Sequence, residues 1–150
     1  MTSSRTDRPA ATLLPNGKVL IVGGGGRNDL ILNTAELYDP TTQTFEALTA
    51  TMTSVRVGHT ATLLSTGKVL LTGGADVFSS AEPPTGHMLN SMELYDPTSK
   101  VFTAITATMV TSRALHQATA LADGTVLLTG GANFSASPFD VLDTVEIYRP

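Results

Sequence analysis

The three histidines of this 150-residue chain are the first place to look for chemistry. His59 and His116 each close an Arg-x-x-His run, Arg56 to His59 and Arg113 to His116. An imidazole can ligate a metal or titrate near neutral pH. Side chains that recur at equivalent places in a repeat, however, read first as parts of the architecture. His87 stands alone. The chain has no cysteine, which excludes disulfides, a thiolate nucleophile and Cys-ligated zinc. No Ser-His-Asp order and no inward-facing carboxylate pair stands out. Glu36, Glu93 and Glu146 recur with the repeat, so they read as structural. Gly23-Gly24-Gly25-Gly26 could pass for a phosphate-binding loop. No GxGxxG leads from it into a helix and no Lys-Ser/Thr follows, so the structural reading prevails.

Composition narrows the classes further. At 150 residues, a single domain over 1–150 with a sizeable core is expected. Charged residues make up only 15% of the chain, and Thr, Ala and Gly replace the usual Lys and Glu, a balance that suits strands and turns. A net charge of -4 with no Lys/Arg cluster argues against a nucleic-acid partner. No apolar run approaches the length of a membrane span. Met1-Thr2-Ser3-Ser4-Arg5 has no apolar core of a signal peptide, so no leader is expected here, and the compartment stays unknown.

The elements that position these residues are written three times. Gly17-Lys18-Val19-Leu20-Ile21-Val22-Gly23-Gly24 returns as Gly67 to Gly74 and again as Gly124 to Gly131. Each copy follows a small-residue strand and a tight turn: Ala11 to Leu14 before Pro15-Asn16-Gly17, Ala61 to Leu64 before Ser65-Thr66-Gly67, and Ala118 to Leu121 before Ala122-Asp123-Gly124. Asn-Gly and Asp-Gly are strong hairpin signals. The unalternating Val/Leu/Ile run suits a strand buried on both faces. After a loop of variable length comes an alternating strand: Thr34 to Tyr38, Ser91 to Tyr95, Thr144 to Tyr148. A fourth strand follows in the first two copies, Thr44 to Leu48 and Val101 to Ile105. Linkers Met52 to His59 and Met109 to His116 come next. Met1 to Arg5 echoes that linker and then slips by one residue, leaving Arg8 or Pro9 where His would stand. No window holds helical periodicity, and four short strands repeating at about 50 residues are the mark of propeller blades.

Taken together, the glycine doublets (Gly23-Gly24, Gly73-Gly74, Gly130-Gly131), the Glu-Leu-Tyr-Asp-Pro segments and the Arg-x-x-His linkers resemble kelch repeats. Tyr38, Tyr95 and Tyr148 are the tyrosines of that pattern, and Phe45 and Phe102 stand where the family usually has Trp. The resemblance also implies that Arg56, Arg113, Tyr38 and Tyr95 pack between blades as structural residues. The resemblance implies an all-β propeller whose Ala-Thr-Leu-Leu strand is innermost and whose Phe strand is outermost. It gives blades at about 9–49, 59–106 and 116–150, the last lacking its outermost strand. Three blades cannot close a ring, because both flanks would expose apolar faces. A head-to-tail pair of half-rings, giving six blades with two-fold symmetry, is the least strained completion. A trimer, or a piece of a longer propeller, are the alternatives.

On this reading the chain is a non-catalytic, self-assembling scaffold or interaction module, with itself as first partner and a protein or glycan as a further one. The alternative is a carbohydrate-binding propeller fragment of a larger extracellular protein or enzyme. Galactose oxidase carries such a propeller, but its copper chemistry needs a Cys–Tyr cross-link that this chain has no Cys to make. No cofactor is expected. The linkers and the variable loops share one face, where Arg27, Arg56, His59, Phe78, His87, Arg113, His116, Phe134 and Phe139 are the binding candidates. In a closed dimer, His59 and His116 could bring up to four imidazoles towards the axis as a speculative metal site. The resemblance leans towards an extracellular, bacterial setting.

Overall fold

The computed structural model describes residues 1–79, 85–135 and 140–150, with the backbone alone at Asp29, Phe78, Ser79 and Thr85. Three antiparallel sheets follow one another along the chain. The first runs β1 (Ala10–Leu13), β2 (Val19–Val22), β3 (Ala35–Asp39) and β4 (Thr44–Ala47), side by side in that order. The second is β5 (Thr60–Leu63), β6 (Val69–Thr72), β9 (Met92–Asp96) and β10 (Val101–Ile105). The third is β11 (Gln117–Ala120), β12 (Val126–Thr129) and β15 (Val145–Tyr148), without a fourth strand among the described residues. β1, β5 and β11 lie beside one another, and the Thr12 hydroxyl donates to the Ala61 carbonyl at 2.7 Å. Small antiparallel sheets stacked through their first strands fit a β-propeller fragment. No helix is long and apolar enough to cross a membrane among the described residues.

Several local features differ from the sequence-based expectation. Each first strand begins and ends one residue early. Leu14, Leu64 and Leu121 leave the strand to donate to the carbonyls of Lys18, Lys68 and Thr125, which closes the tight turn. The loop of the second repeat contains a hairpin, β7 (Ala75–Ser79) paired with β8 (Thr85–Met88), and that of the third a two-residue ladder, β13 (Ala132–Asn133) with β14 (Asp140–Val141). The segment Arg27–Asp29 forms a single 3₁₀ turn.

The core lies between sheets. Leu14, Leu20, Val22 and Leu37 of the first sheet meet Val69, Leu71, Tyr95 and Phe102 of the second, with Met52 of the linker between them. Leu64, Leu70 and Met92 on the other face of the second sheet meet Val126 and Leu128 of the third, with Met109 between them. Tyr95 tilts against Phe102 at 4.8 Å, and Tyr38 against Phe45 at the same separation. β6 is therefore buried on both faces, as its unalternating sequence predicts. β2 and β12 are not. Leu20 and Val22 are buried while Val19 and Ile21 are half-exposed; Val126 and Leu128 are buried while Leu127 and Thr129 are half-exposed. The residue types match β6, and the neighbour is missing on opposite sides.

A buried ion pair fastens each linker to the sheet that follows it. Arg56 and Arg113 are 0% exposed. Arg56 donates to the Gly73 carbonyl at 2.8 Å, the Ser91 carbonyl at 3.1 Å and the Glu93 carboxylate at 2.9 Å. Arg113 repeats this with Gly130, Thr144 and Glu146, and Arg5 with Gly23, Thr34 and Glu36. The carboxylates also accept linker amides: Thr2 and Ser3 on Glu36, Thr53 on Glu93, Val110 and Thr111 on Glu146. Burial alone would raise the Glu36 carboxyl, but those amides and the Arg5 guanidinium outweigh it and hold it below the usual range. A guanidinium is suited to the place because its fork reaches two carbonyls and a carboxylate at once.

Removing one charge from such a pair strands the other in the interior. Arg56→Met is expected to lower unfolding free energy by about 3–5 kcal/mol in urea titration. Arg113→Met should cost less, because the Glu146 side chain is 16% exposed against 1% for Glu93. Equal costs would mean that the pairing does not govern the loss.

Candidate functional site

The linkers and the loops after the second strands meet at one end of the sheets. Val57 pairs with Ala75, Ala114 with Ala132, and Asp7 with Gly25. Leu32 and Leu89 accept the amides of Arg56 and Arg113. Of the binding candidates, Arg27 is exposed on its 3₁₀ turn. His87 is exposed on β8, and its Nδ1 lies 2.7 Å from Asp76 Oδ1 across the hairpin. Phe134 is half-buried against Val57, Ala75, Met88 and Ala114, and its carbonyl accepts the Gly86 amide. Phe139 lies outside the described residues, as does the side chain of Phe78.

Arg56, Arg113, His59 and His116 belong to the interior. A binding-face role for the two arginines is corrected by the clamp: their guanidinium NH groups are turned into their own sheets, where the carbonyls of Gly73 and Gly130 need a donor. The histidines pack back onto the preceding sheet. A side chain on Gly23 would strike the His59 ring at 2.6 Å, and one on Gly73 the His116 ring at 3.0 Å. His116 Nε2 sits 2.7 Å from Thr72 Oγ1 and 3.3 Å from Thr60 Oγ1. The equivalent residues facing His59 are Val22 and Ala10, and both of its ring nitrogens lack a hydrogen-bond partner among the described residues. In the first linker Pro9 takes the histidine's place, beside Gly24 as His59 is beside Gly74. No group of three or more His, Asp or Glu side chains suited to a metal comes together among the described residues.

Burial pushes His59 down to about 3, with the nearby Arg56 charge adding to it, and His116 to about 4. Both rings are neutral in the folded chain and would charge near 6.5 once unfolded. The unfolded chain thus binds more protons below 6.5, and stability falls as pH drops from there towards the folded values. Carboxylates such as Glu36 add to the same trend only below their own unfolded range, near 4.5.

One further residue set went unread in the sequence, the clamp of Arg with Glu; its signal was the shared recurrence of Arg5, Arg56 and Arg113 with Glu36, Glu93 and Glu146. The open apolar flanks were expected, and the structure names their residues. On the first sheet Leu13 is 63% exposed, and on the third Val145 is 57% and Ile147 is 45% exposed. In the stacked interfaces their equivalents are covered, Met92 fully and Leu63 and Leu94 in part.

His59→Leu removes two unpartnered buried nitrogens at nearly constant volume. It is expected to leave stability at pH 7 unchanged or raised by about 1–2 kcal/mol. Between pH 6.5 and 4.5 the variant should lose less stability than the parent, by about 1–3 kcal/mol in urea titrations at each pH. Parallel pH profiles would show that His59 is not held neutral.

A search of the curated proteins finds no match to the chain. Residues 8–51, which hold the first sheet and its approach, match the sequence model of the kelch motif. Arg clamp, glycine doublet and tyrosine strand recur in all three sheets, so the second and third sheets repeat the features of the one that carries the kelch motif.

Proposed function

We propose that this chain is a non-catalytic interaction module that works as a self-assembled propeller, two half-rings joined head to tail. The observation that carries the reading is the complementarity of its two open flanks. The third sheet offers Leu121, Leu127, Val145 and Ile147, the equivalents of Leu64, Leu70, Met92 and Leu94. The first sheet offers Leu13, Val19, Ile21, Tyr38 and Phe45; its Val19, Ile21 and Tyr38 are the equivalents of Val126, Leu128 and Tyr148. A contact already made twice within the chain can be made again between chains, and two such contacts close a ring with two-fold symmetry. Apolar faces of this extent are unusual on a lone molecule.

The face left for other partners is the loop end, where Arg27, His87 and Leu30 are exposed. Kelch-repeat domains are generally non-catalytic, which favours recognition over reaction. The carbohydrate reading has less behind it, since Phe134 is occupied with the hydrophobic cluster beneath the hairpin.

Light scattering on the purified chain should give twice the chain mass. Leu13→Glu and Ile147→Glu, on opposite flanks, should each shift the mass towards that of one chain and keep a β-type circular dichroism spectrum. A single-chain mass for the parent protein across the micromolar range would end the reading.

A further inference from the structure

The backbone at each sheet junction shows a repeated pattern that stops short at both ends of the chain. Gly24 N–H donates to the Arg56 carbonyl at 2.8 Å, and Gly74 N–H to the Arg113 carbonyl at 2.9 Å. Arg56 and Arg113 donate to Leu32 and Leu89, and Met52 and Met109 to Asn33 and Asn90. On the third sheet the corresponding groups are Gly131 N–H and the carbonyls of Leu142 and Asp143. None of the three meets a backbone partner of this kind among the described residues. At the other end of the chain, Arg5 and Met1 hold the missing complements. The Arg5 side chain is locked into its own sheet, but its backbone N–H and C=O and the Met1 N–H meet no described group. Met1 is 61% exposed, where Met52 and Met109 are 1% and 3% exposed.

One glycine records the shape of what is absent. A side-chain carbon on Gly23 would lie 2.6 Å from the Arg56 carbonyl oxygen, and one on Gly73 would collide with that of Arg113. Gly130, the third of the set, has the same backbone, at φ +63 against +64 and +59. Its added carbon would meet nothing closer than the Leu142 carbonyl at 3.6 Å. The place that an arginine carbonyl fills at the first two junctions stands open at the third.

We propose that residues 1–5 of a second copy fill it: the partner's Arg5 carbonyl takes the space over Gly130 and accepts Gly131 N–H, while Leu142 and Asp143 accept the amides of the partner's Arg5 and Met1. This rests on head-to-tail self-association and adds its register. The second copy is the occupant because its leading segment is already held in the geometry of the other two linkers by the Arg5–Glu36 clamp. Docking therefore orders few new residues, which keeps its entropic cost low.

The test pairs two alanine substitutions in the full chain. Gly130→Ala and Gly124→Ala both place a side chain at positive φ, +63 and +86, and so carry comparable backbone strain. Only Gly130→Ala would also push against a docked carbonyl. Because a two-fold dimer has two such junctions, Gly130→Ala should weaken dimerisation by about a hundredfold or more. Gly124→Ala should leave it within about threefold of the parent, as judged by sedimentation at several concentrations. Amide exchange in the unaltered protein gives a readout independent of folding: Gly131 N–H should be protected when dimeric and exchange faster on dilution. A dimeric parent in which Gly130→Ala dimerises as well as Gly124→Ala, or in which Gly131 exchanges freely, overturns the docking of residues 1–5 but leaves association through the flanks. A parent that is a single chain at every concentration overturns both.

Discussion

The fold depends on a guanidinium buried at each linker. A chain of short sheets has little to fix the angle at which one sheet passes to the next, since the apolar contacts between them are not directional. Arg5, Arg56 and Arg113 supply that direction. Each bridges the end of the second strand and the start of the third in its own sheet, and the linkers of Arg56 and Arg113 are also bonded through their backbones to the sheet before. A charge without water must be paired and fully hydrogen-bonded. The two carbonyls, the carboxylate and the linker amides that share it therefore admit only one arrangement. The third clamp is the loosest: among the described residues Arg113 Nε has no partner, and the Glu146 side chain keeps some exposure.

The hydrophobic layers are organised by this frame. Each sheet has two apolar faces, and only the second covers both within one chain. That asymmetry, visible in the burial phase of β2, β6 and β12, makes the molecule a segment with two unlike ends. It also explains why near-identical strand sequences differ in exposure: the environment is set by position along the stack, while the residues were written for the middle of it.

Much of this was legible in the sequence. The strand order within each sheet followed from the turn glycines and the tyrosine segments, because local turn chemistry and strand patterning point to the same answer there. The slip of the first linker was also readable, and the structure settles it by setting Pro9 in the histidine position. Other features depended on distance in sequence. The Arg–Glu pairs join residues 31 to 37 positions apart, and spacing alone does not say that two recurring charges touch. The resemblance already implied a structural place for Arg56 and Arg113; what it left open was their carboxylate partners, and with them the binding-face alternative. The β7–β8 hairpin was hidden because Gly86 and His87 interrupt any strand pattern in its second arm. That His59 lacks the hydroxyl contact of His116 rests on Val22 standing where the second sheet has Thr72, a difference that carries no strand or turn signal.

The inner strands have one more implication. Ala10-Ala11-Thr12-Leu13, Thr60-Ala61-Thr62-Leu63 and Gln117-Ala118-Thr119-Ala120 contain no ionisable side chain, and they lie side by side where the sheets converge. Such a row of strands adds no formal charge of its own where the sheets meet. Attraction of a charged partner has to come from side chains outside these strands, such as the exposed Arg27, so such a visitor is met away from the seam of the first strands.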